Sequence, residues 1–255
     1  MIDFNYWVAL LLIMVRTTAF LVASPLFSLR NIPALVKVGL GVLLAFLLSP
    51  AVPKNLPETV ELLDYVLWVA NESLVGLFLG FLASLVFASL RVAGELADIQ
   101  MGFGTASLLD PQNSMQVTLM GQFYHLLALL LFVLLNGHHQ LLLALADSFR
   151  LVPLGQIGLK GMVALEVVKI FAGMFALAFR VAAPILAVLL MSDVALAMVA
   201  RTVPQLNVFI LGFPLKAGLG MLTASLIIPL LAGLLSDIFY QMEKDLGLII
   251  RGLAP

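Results

Sequence analysis

A chain of 255 residues that is 63% hydrophobic and 11% charged, with a mean hydropathy of +1.15, has too little polar material to build a water-facing surface; soluble domains run at roughly 45–50% apolar and about 25% charged. A net charge of −1 leaves no basic footprint for nucleic acid, and the absence of Cys excludes disulfides and thiolate metal sites. The expected class is all-α, a single integral membrane domain over residues 1–255 built from hydrophobic helical hairpins with long kinked helices.

The first hydrophobic block falls at about 6–29. No basic region precedes it and Asp3 does, which points to a retained first helix rather than a cleaved signal peptide. Arg16 lies inside it. A second block occupies about 34–53 and a third about 62–93. The third holds about 32 residues, or about 48 Å of helix against a ~30 Å hydrocarbon core, so it must tilt, kink or protrude. Within it, steps of four connect Glu72, Gly76, Gly80, Ser84 and Ala88. Gly and Ala are frequent in any membrane helix, but four small positions in register predict a face for close helix packing. The stripe leaves open whether the contacting helix belongs to this chain or to another. Arg16 and Glu72 sit in different blocks and form a candidate pair, because an ionisable group in lipid needs a partner or water.

The stretch GELADIQMGFGTASLLDPQNSMQV (Gly94–Val117) then interrupts the apolar pattern. Connectors usually need about 2–8 residues, so a loop over about 94–118 has a purpose of its own or is an ordinary surface loop. Arg91 and Glu95 are four apart, as one further helical turn would place them, and Asp98 follows. Gly102 and Gly104 bracket Phe103, and Asp110-Pro111 brings turn chemistry. Met101, Leu108, Leu109 and Met115 add apolar bulk. Irregular backbone at membrane depth survives only inside protein or along a cavity. Mobile glycines carrying Met101, Phe103, Leu108, Leu109 and Met115 suit a removable seal.

A fourth block runs at about 119–135, followed by NGHH (Asn136–His139) and a short apolar fragment, Leu141–Ala146, readable as the return limb of a re-entrant hairpin. Adjacent His138 and His139 would point about 100° apart on a helix, so a turn is the expected role and a metal site is not. The fifth block, about 161–192, again holds about 32 residues and includes Pro184, a natural kink. Glu166 and Lys169 are spaced to pair on one face. Lys169, Gly173, Ala176 and Arg180 share a side that suits a water-filled lumen, a partner's acidic groups, or an internally neutralised network. The sixth block, about 206–235, contains Lys216.

Loop cations split five against four between the two sides, so charge bias sets no orientation. Either the block boundaries are misplaced or partners fix the position of the chain. RNIP followed by KVGLG (Lys37–Gly41) is echoed by RTVP followed by KAGLG (Lys216–Gly220), a parallel duplication or, more economically, coincidence in a biased composition. No Walker-type loop, zinc-ligand spacing or GxSxG appears, so neither enzymatic activity nor a cofactor is expected. Glu72 is the first candidate for a proton relay, if there is one.

The ordered motifs resemble a known family. Arg16 with PLFSLRNIPALVKVGLG (Pro25–Gly41), NESLVGLFLGF (Asn71–Phe81), GELADIQMGFGTASLLDP (Gly94–Pro111), LLFVLLNGHHQLL (Leu130–Leu142), SFRLVPLG (Ser148–Gly155), RVAAPILAVLL (Arg180–Leu190) and ARTVPQLNVFILGFPLK (Ala200–Lys216) are similar, over nearly the whole chain, to the FliR family of flagellar export apparatus proteins. The related virulence type III secretion family is the rival, but the GFG-x5-DP loop and the PQLNVF run look flagellar. The resemblance implies a multi-pass protein of the bacterial inner membrane within the flagellar basal body. There, such chains join FliP and FliQ in a helical pore for unfolded flagellar export substrates. It also implies FlhB near the entrance and FlhA beneath, hairpins like those of FliQ and FliP, and a complex raised above the plane that hydropathy assigns. In the family the loop after the third hydrophobic region projects into the channel as a plug, which here is the Met101–Val117 region. This chain departs from a more aromatic version of the plug, Phe103 being its only ring. Gly102 and Gly104 would then act as hinges, and apolar residues across a lumen gate by dewetting. The alternatives are a stand-alone secondary transporter or ion channel and, more distantly, a membrane-embedded enzyme.

Overall fold

A computed structural model describes residues 4–28, 32–53, 56–57, 61–103, 118–158, 161–205 and 207–255. Among them are seven α-helices and no strand: α1 (Phe4–Ala23), α2 (Ala34–Leu48), α3 (Leu62–Met101), α4 (Leu119–Leu134), α5 (Gly137–Leu151), α6 (Gly161–Thr202) and α7 (Val208–Leu253). The protein is all-helical because lipid offers backbone groups no water, so each span must bond to itself. Four helices, α1, α3, α6 and α7, are long and apolar enough to cross a bilayer, and the α4–α5 pair raises the number to five if counted as one span.

Hydropathy underestimates the long helices. The third block continues past 93 to Met101, so Gly94–Met101 is helix rather than the start of a loop. Its continuation is amphipathic: Ala93, Ala97 and Met101 are buried at four-residue spacing while Arg91 and Glu95 pair on the surface, Nε to Oε1 at 3.1 Å. The fifth block extends from 192 to Thr202, and Pro184 lies within the unbroken helix. The sixth runs to Leu253, well past 235, because Phe239, Met242, Leu246, Ile249 and Leu253 keep a helical stripe buried through the polar QMEKD segment. The Leu141–Ala146 fragment belongs to α5, which is bent 73° from α4. The bend is made at Leu135–Asn136, with Asn136 in the left-handed region (φ 58°), and His138 and His139 enter the first turn of α5 instead of forming the turn themselves. Asn tolerates that conformation better than other side chains.

The chain clusters into two compact units, residues 1–86 with 132–171 and 239–255, and residues 87–131 with 172–238. In the first unit α1 packs along α2, with Thr18 seated against Gly41, and buries Val8, Leu12, Ile13, Phe20 and Leu21. The Thr17 and Thr18 hydroxyls bond back to the carbonyls of Ile13 and Met14, at 2.6 and 2.7 Å, which hides their polarity within the helix. Phe132 meets Phe239 edge-on at 5.0 Å, and Gly137 leaves room for the Phe132 ring. The second unit buries Phe87, Leu90 and Ala97 of α3, Tyr124 and Ala128 of α4, Ile185 and Leu189 of α6, and Ile227 and Leu231 of α7.

Candidate functional site

Two polar constellations stand out, one in each unit. In the first, Arg16 of α1 is completely buried and Glu72 of α3 is 1% exposed. Arg16 Nε donates to Glu72 Oε2 at 2.5 Å and Nη2 to Oε1 at 3.0 Å. The remaining guanidinium hydrogens turn to the end of α5. Nη1 reaches the Ser148 carbonyl at 3.0 Å and its hydroxyl at 3.4 Å, and Nη2 reaches the Val152 carbonyl at 3.2 Å. The Ser148 carbonyl also accepts the Val152 N–H at 2.9 Å, and carbonyls at a helix C-terminus carry the negative end of the dipole, so a cation there is favourable. The guanidinium carbon also sits 4.4 Å from the centroid of the Phe149 ring.

Glu72 is shared with the turn after α5. Its Oε1 accepts the Gly155 N–H at 2.8 Å, and the Gly155 carbonyl accepts Asn71 Nδ2 at 3.0 Å. Gly155 has φ 76°, and a Cβ there would lie 2.6 Å from Cγ of Trp68. Only glycine satisfies both conditions. Three helices and a turn are thus tied to one buried ion pair.

The small stripe that follows Glu72 meets α1 of the same chain. A Cβ at Gly76 would strike the Arg16 carbonyl, and one at Gly80 would lie 2.7 Å from both the Phe20 carbonyl and Ala23 Cβ. Further along, Ser84 and Ala88 are only half-buried, and the Ser84 hydroxyl bonds back to Phe81 at 2.7 Å.

In the second unit both ends of the central stretch are described. Asp98 is 3% exposed. Its carboxylate accepts the N–H groups of Met120, at 3.0 Å to each oxygen, and of Gly121, at 3.3 Å. These amides open α4 and have no partner within the helix, so an acid from α3 does the work of an N-terminal cap. Gly94 makes room for the approach, its hydrogen facing the backbone of Met120 and Gly121.

The outgoing end is seated on α7. Met101 is completely buried beside Gly220, Gly102 turns with φ 89° against the Phe213 ring, and Phe103 meets Phe213 edge-on at 6.3 Å. Next to Met101, Gln100 donates to Asp193 of α6 at 3.1 Å, and Asp193 pairs with Lys216 of α7. Gly104, Leu108, Leu109 and Met115, the other candidate seal residues, lie outside the described residues.

Of the remaining charged candidates, Glu166 and Lys169 pair at 2.7 Å with Lys169 largely exposed. Lys216 is half-buried against Asp193, and Arg180 is exposed. Sequence reasoning passed over Asp193, because the fifth block was closed one residue before it. Gln100, Phe213 and Gly220 stood inside quoted runs but were given no role of their own. Asp98 was visible only as a polar residue three after Glu95. Among the described residues no group of three or more His, Cys, Asp or Glu side chains is placed to hold a metal ion.

The chain matches the family model described as bacterial export proteins, family 1, over residues 7–242. It is 41% identical over 213 residues to the flagellar biosynthetic protein FliR of Bacillus subtilis (strain 168), covering 82% of this chain and 81% of that one. It is 32% identical over 241 residues to the flagellar biosynthetic protein FliR of Escherichia coli (strain K12), covering 94% and 92%. The same name is borne by a relative from Pectobacterium carotovorum subsp. carotovorum, 32% identical over 240 residues.

Proposed function

Because the chain belongs to the FliR family, within the bacterial export proteins, family 1, we propose that it is the core subunit of a flagellar export gate whose central stretch plugs the pore. Membership makes it a membrane component of the flagellar export apparatus, working alongside other export subunits. In the finer reading it builds, with FliP and FliQ, the inner-membrane pore that passes unfolded flagellar subunits at the basal body, with FlhB near the entrance and FlhA beneath. No bond is made or broken by this chain. It supplies a conduit and a seal, and energy enters elsewhere in the machine.

One observation carries the plug reading. The central stretch leaves and returns at one spot, where the Asp98 carboxylate on its outgoing side holds Met120 and Gly121 on its incoming side. The segment between these two fastenings is rich in Gly, Ser and apolar side chains, the composition expected of a seal that substrate can displace. The names of the relatives are flagellar, which favours this reading over virulence secretion. The test is to remove Thr105–Met115 while keeping Asp98–Phe103 and Thr118–Gly121. Assembled complexes should then leak ions at rest, and unchanged resting conductance counts against a seal.

A further inference from the structure

Four cations of the long helices pair with carboxylates of the same chain: Arg16 with Glu72, Arg91 with Glu95, Lys169 with Glu166 and Lys216 with Asp193. Arg180 has neither an ion pair nor a hydrogen bond among the described residues, and it is exposed. It lies at the middle of α6 (Gly161–Thr202). A span of about 20 residues placed anywhere on that helix contains Arg180 or ends beside it. A guanidinium in that position facing acyl chains is strongly unfavourable unless an anion or water meets it.

The surroundings of Arg180 narrow the choice. In the second unit α6 buries Ala178, Val181, Ala182, Ile185 and Leu189 on one side. The opposite side, at helical spacing, is Gly173, Ala176, Arg180, Pro184 and Ala187, all exposed. A Cβ added at Gly173 would meet nothing within 4 Å. This side therefore stands low on both flanks of the guanidinium, whereas beside it Phe175 and Phe179 present large rings, 52% and 62% exposed. Side chains such as Phe suit acyl chains. Small residues instead let a second backbone approach closely.

We infer that this side of α6 is a docking surface for a membrane helix of another export subunit, one that carries an Asp or Glu carboxylate opposite Arg180. The low flanks admit the helix, and its acid completes an ion pair of which Arg180 is one half. A bidentate carboxylate matches the planar fork of arginine, which makes Arg180 more exacting than lysine would be. This inference rests on the proposed reading of the chain as one subunit of a multi-subunit gate.

The test uses affinity-tagged chain expressed together with the other membrane subunits of the export apparatus, reading the amount of partner recovered per tagged chain. Arg180→Leu should lower recovery by about tenfold or more, as loss of one side of a desolvated charge pair does. The thermal unfolding of the isolated tagged chain in detergent should stay unchanged, since Arg180 makes no ion pair or hydrogen bond among the described residues. Arg180→Glu should abolish recovery, and an acid-to-lysine change on the partner helix should restore it. Equal recovery with Arg180→Leu and wild type overturns the docking surface while leaving the gate reading intact. Normal recovery with loss of bound anionic lipid also overturns it, assigning the guanidinium to a headgroup. A wild-type chain that emerges alone sinks both readings.

Discussion

Arg16 and Glu72, 56 residues apart in the chain, face each other in a two-point bridge from which water is excluded, at 2.5 and 3.0 Å. Among the described residues neither charge has another ion-pair partner, so the two behave as one unit. Removing either leaves the other buried and unpaired. Glu72→Ala should therefore destabilise the chain by about 3–5 kcal/mol, and Arg16→Met by a similar amount, whereas the double change to apolar residues should cost less than either alone. Unfolding of the purified chain in detergent measures all three. Additive losses would mean that the bridge contributes nothing as a pair.

Gly80 faces backbone, which cannot step aside as a flexible side-chain tip can. Gly80→Ala places a Cβ 2.7 Å from the Phe20 carbonyl and from Ala23 Cβ, and forcing the two helices apart should cost about 1–3 kcal/mol. Gly80→Leu should be worse and should prevent recovery of assembled complex. Gly39, where an added Cβ meets nothing within 4 Å, is the control: Gly39→Ala should be neutral or stabilising by up to about 1 kcal/mol through helix propensity. If the two alanine variants unfold alike, close packing of α1 on α3 is not what Gly80 is for.

Asp98 holds the start of α4 from outside that helix. Asp98→Ala frees the Met120 and Gly121 amides, at a cost of about 1.5–3 kcal/mol for charge-assisted bonds. Hydrogen exchange at these two amides should quicken more than exchange elsewhere in α4, while Asp98→Asn, which keeps an acceptor, should fall between. In assembled complexes the alanine variant should also raise resting ion leakage, because one fastening of the central stretch is gone. Unaltered exchange at Met120 and Gly121 would show that the start of α4 does not depend on this carboxylate.

Much of the architecture is legible in the sequence because lipid makes the rules strict. Spans must be helical, and charges inside them stand out; Arg16 and Glu72 are conspicuous for that reason. Gly76 and Gly80 are readable as a close-packing face because, with Ser84 and Ala88, they put four small positions in register. What is not legible has a common cause. Hydropathy records polarity, not helicity, so the third and sixth blocks close at about 93 and 235, before the polar residues that end α3 and lie within α7. In both places buried residues at helical spacing carry the helix onward. The partners of Arg16 at the end of α5 are backbone carbonyls, and the second ligand of Glu72 is a backbone N–H. Every residue type offers those groups, so no pattern of side chains announces them. Asp193 and Lys216 are joined by tertiary geometry alone.

The buried bridge also has a history in the making of the chain. The Arg16 guanidinium draws on Glu72, Ser148 and Val152, the last of them 136 positions downstream. During synthesis the first helix reaches the bilayer long before the residues that neutralise and saturate it have left the ribosome. Until then its arginine must be kept hydrated or chaperoned by the insertion machinery, so α1 is made well ahead of the groups it bonds and settles only once they arrive.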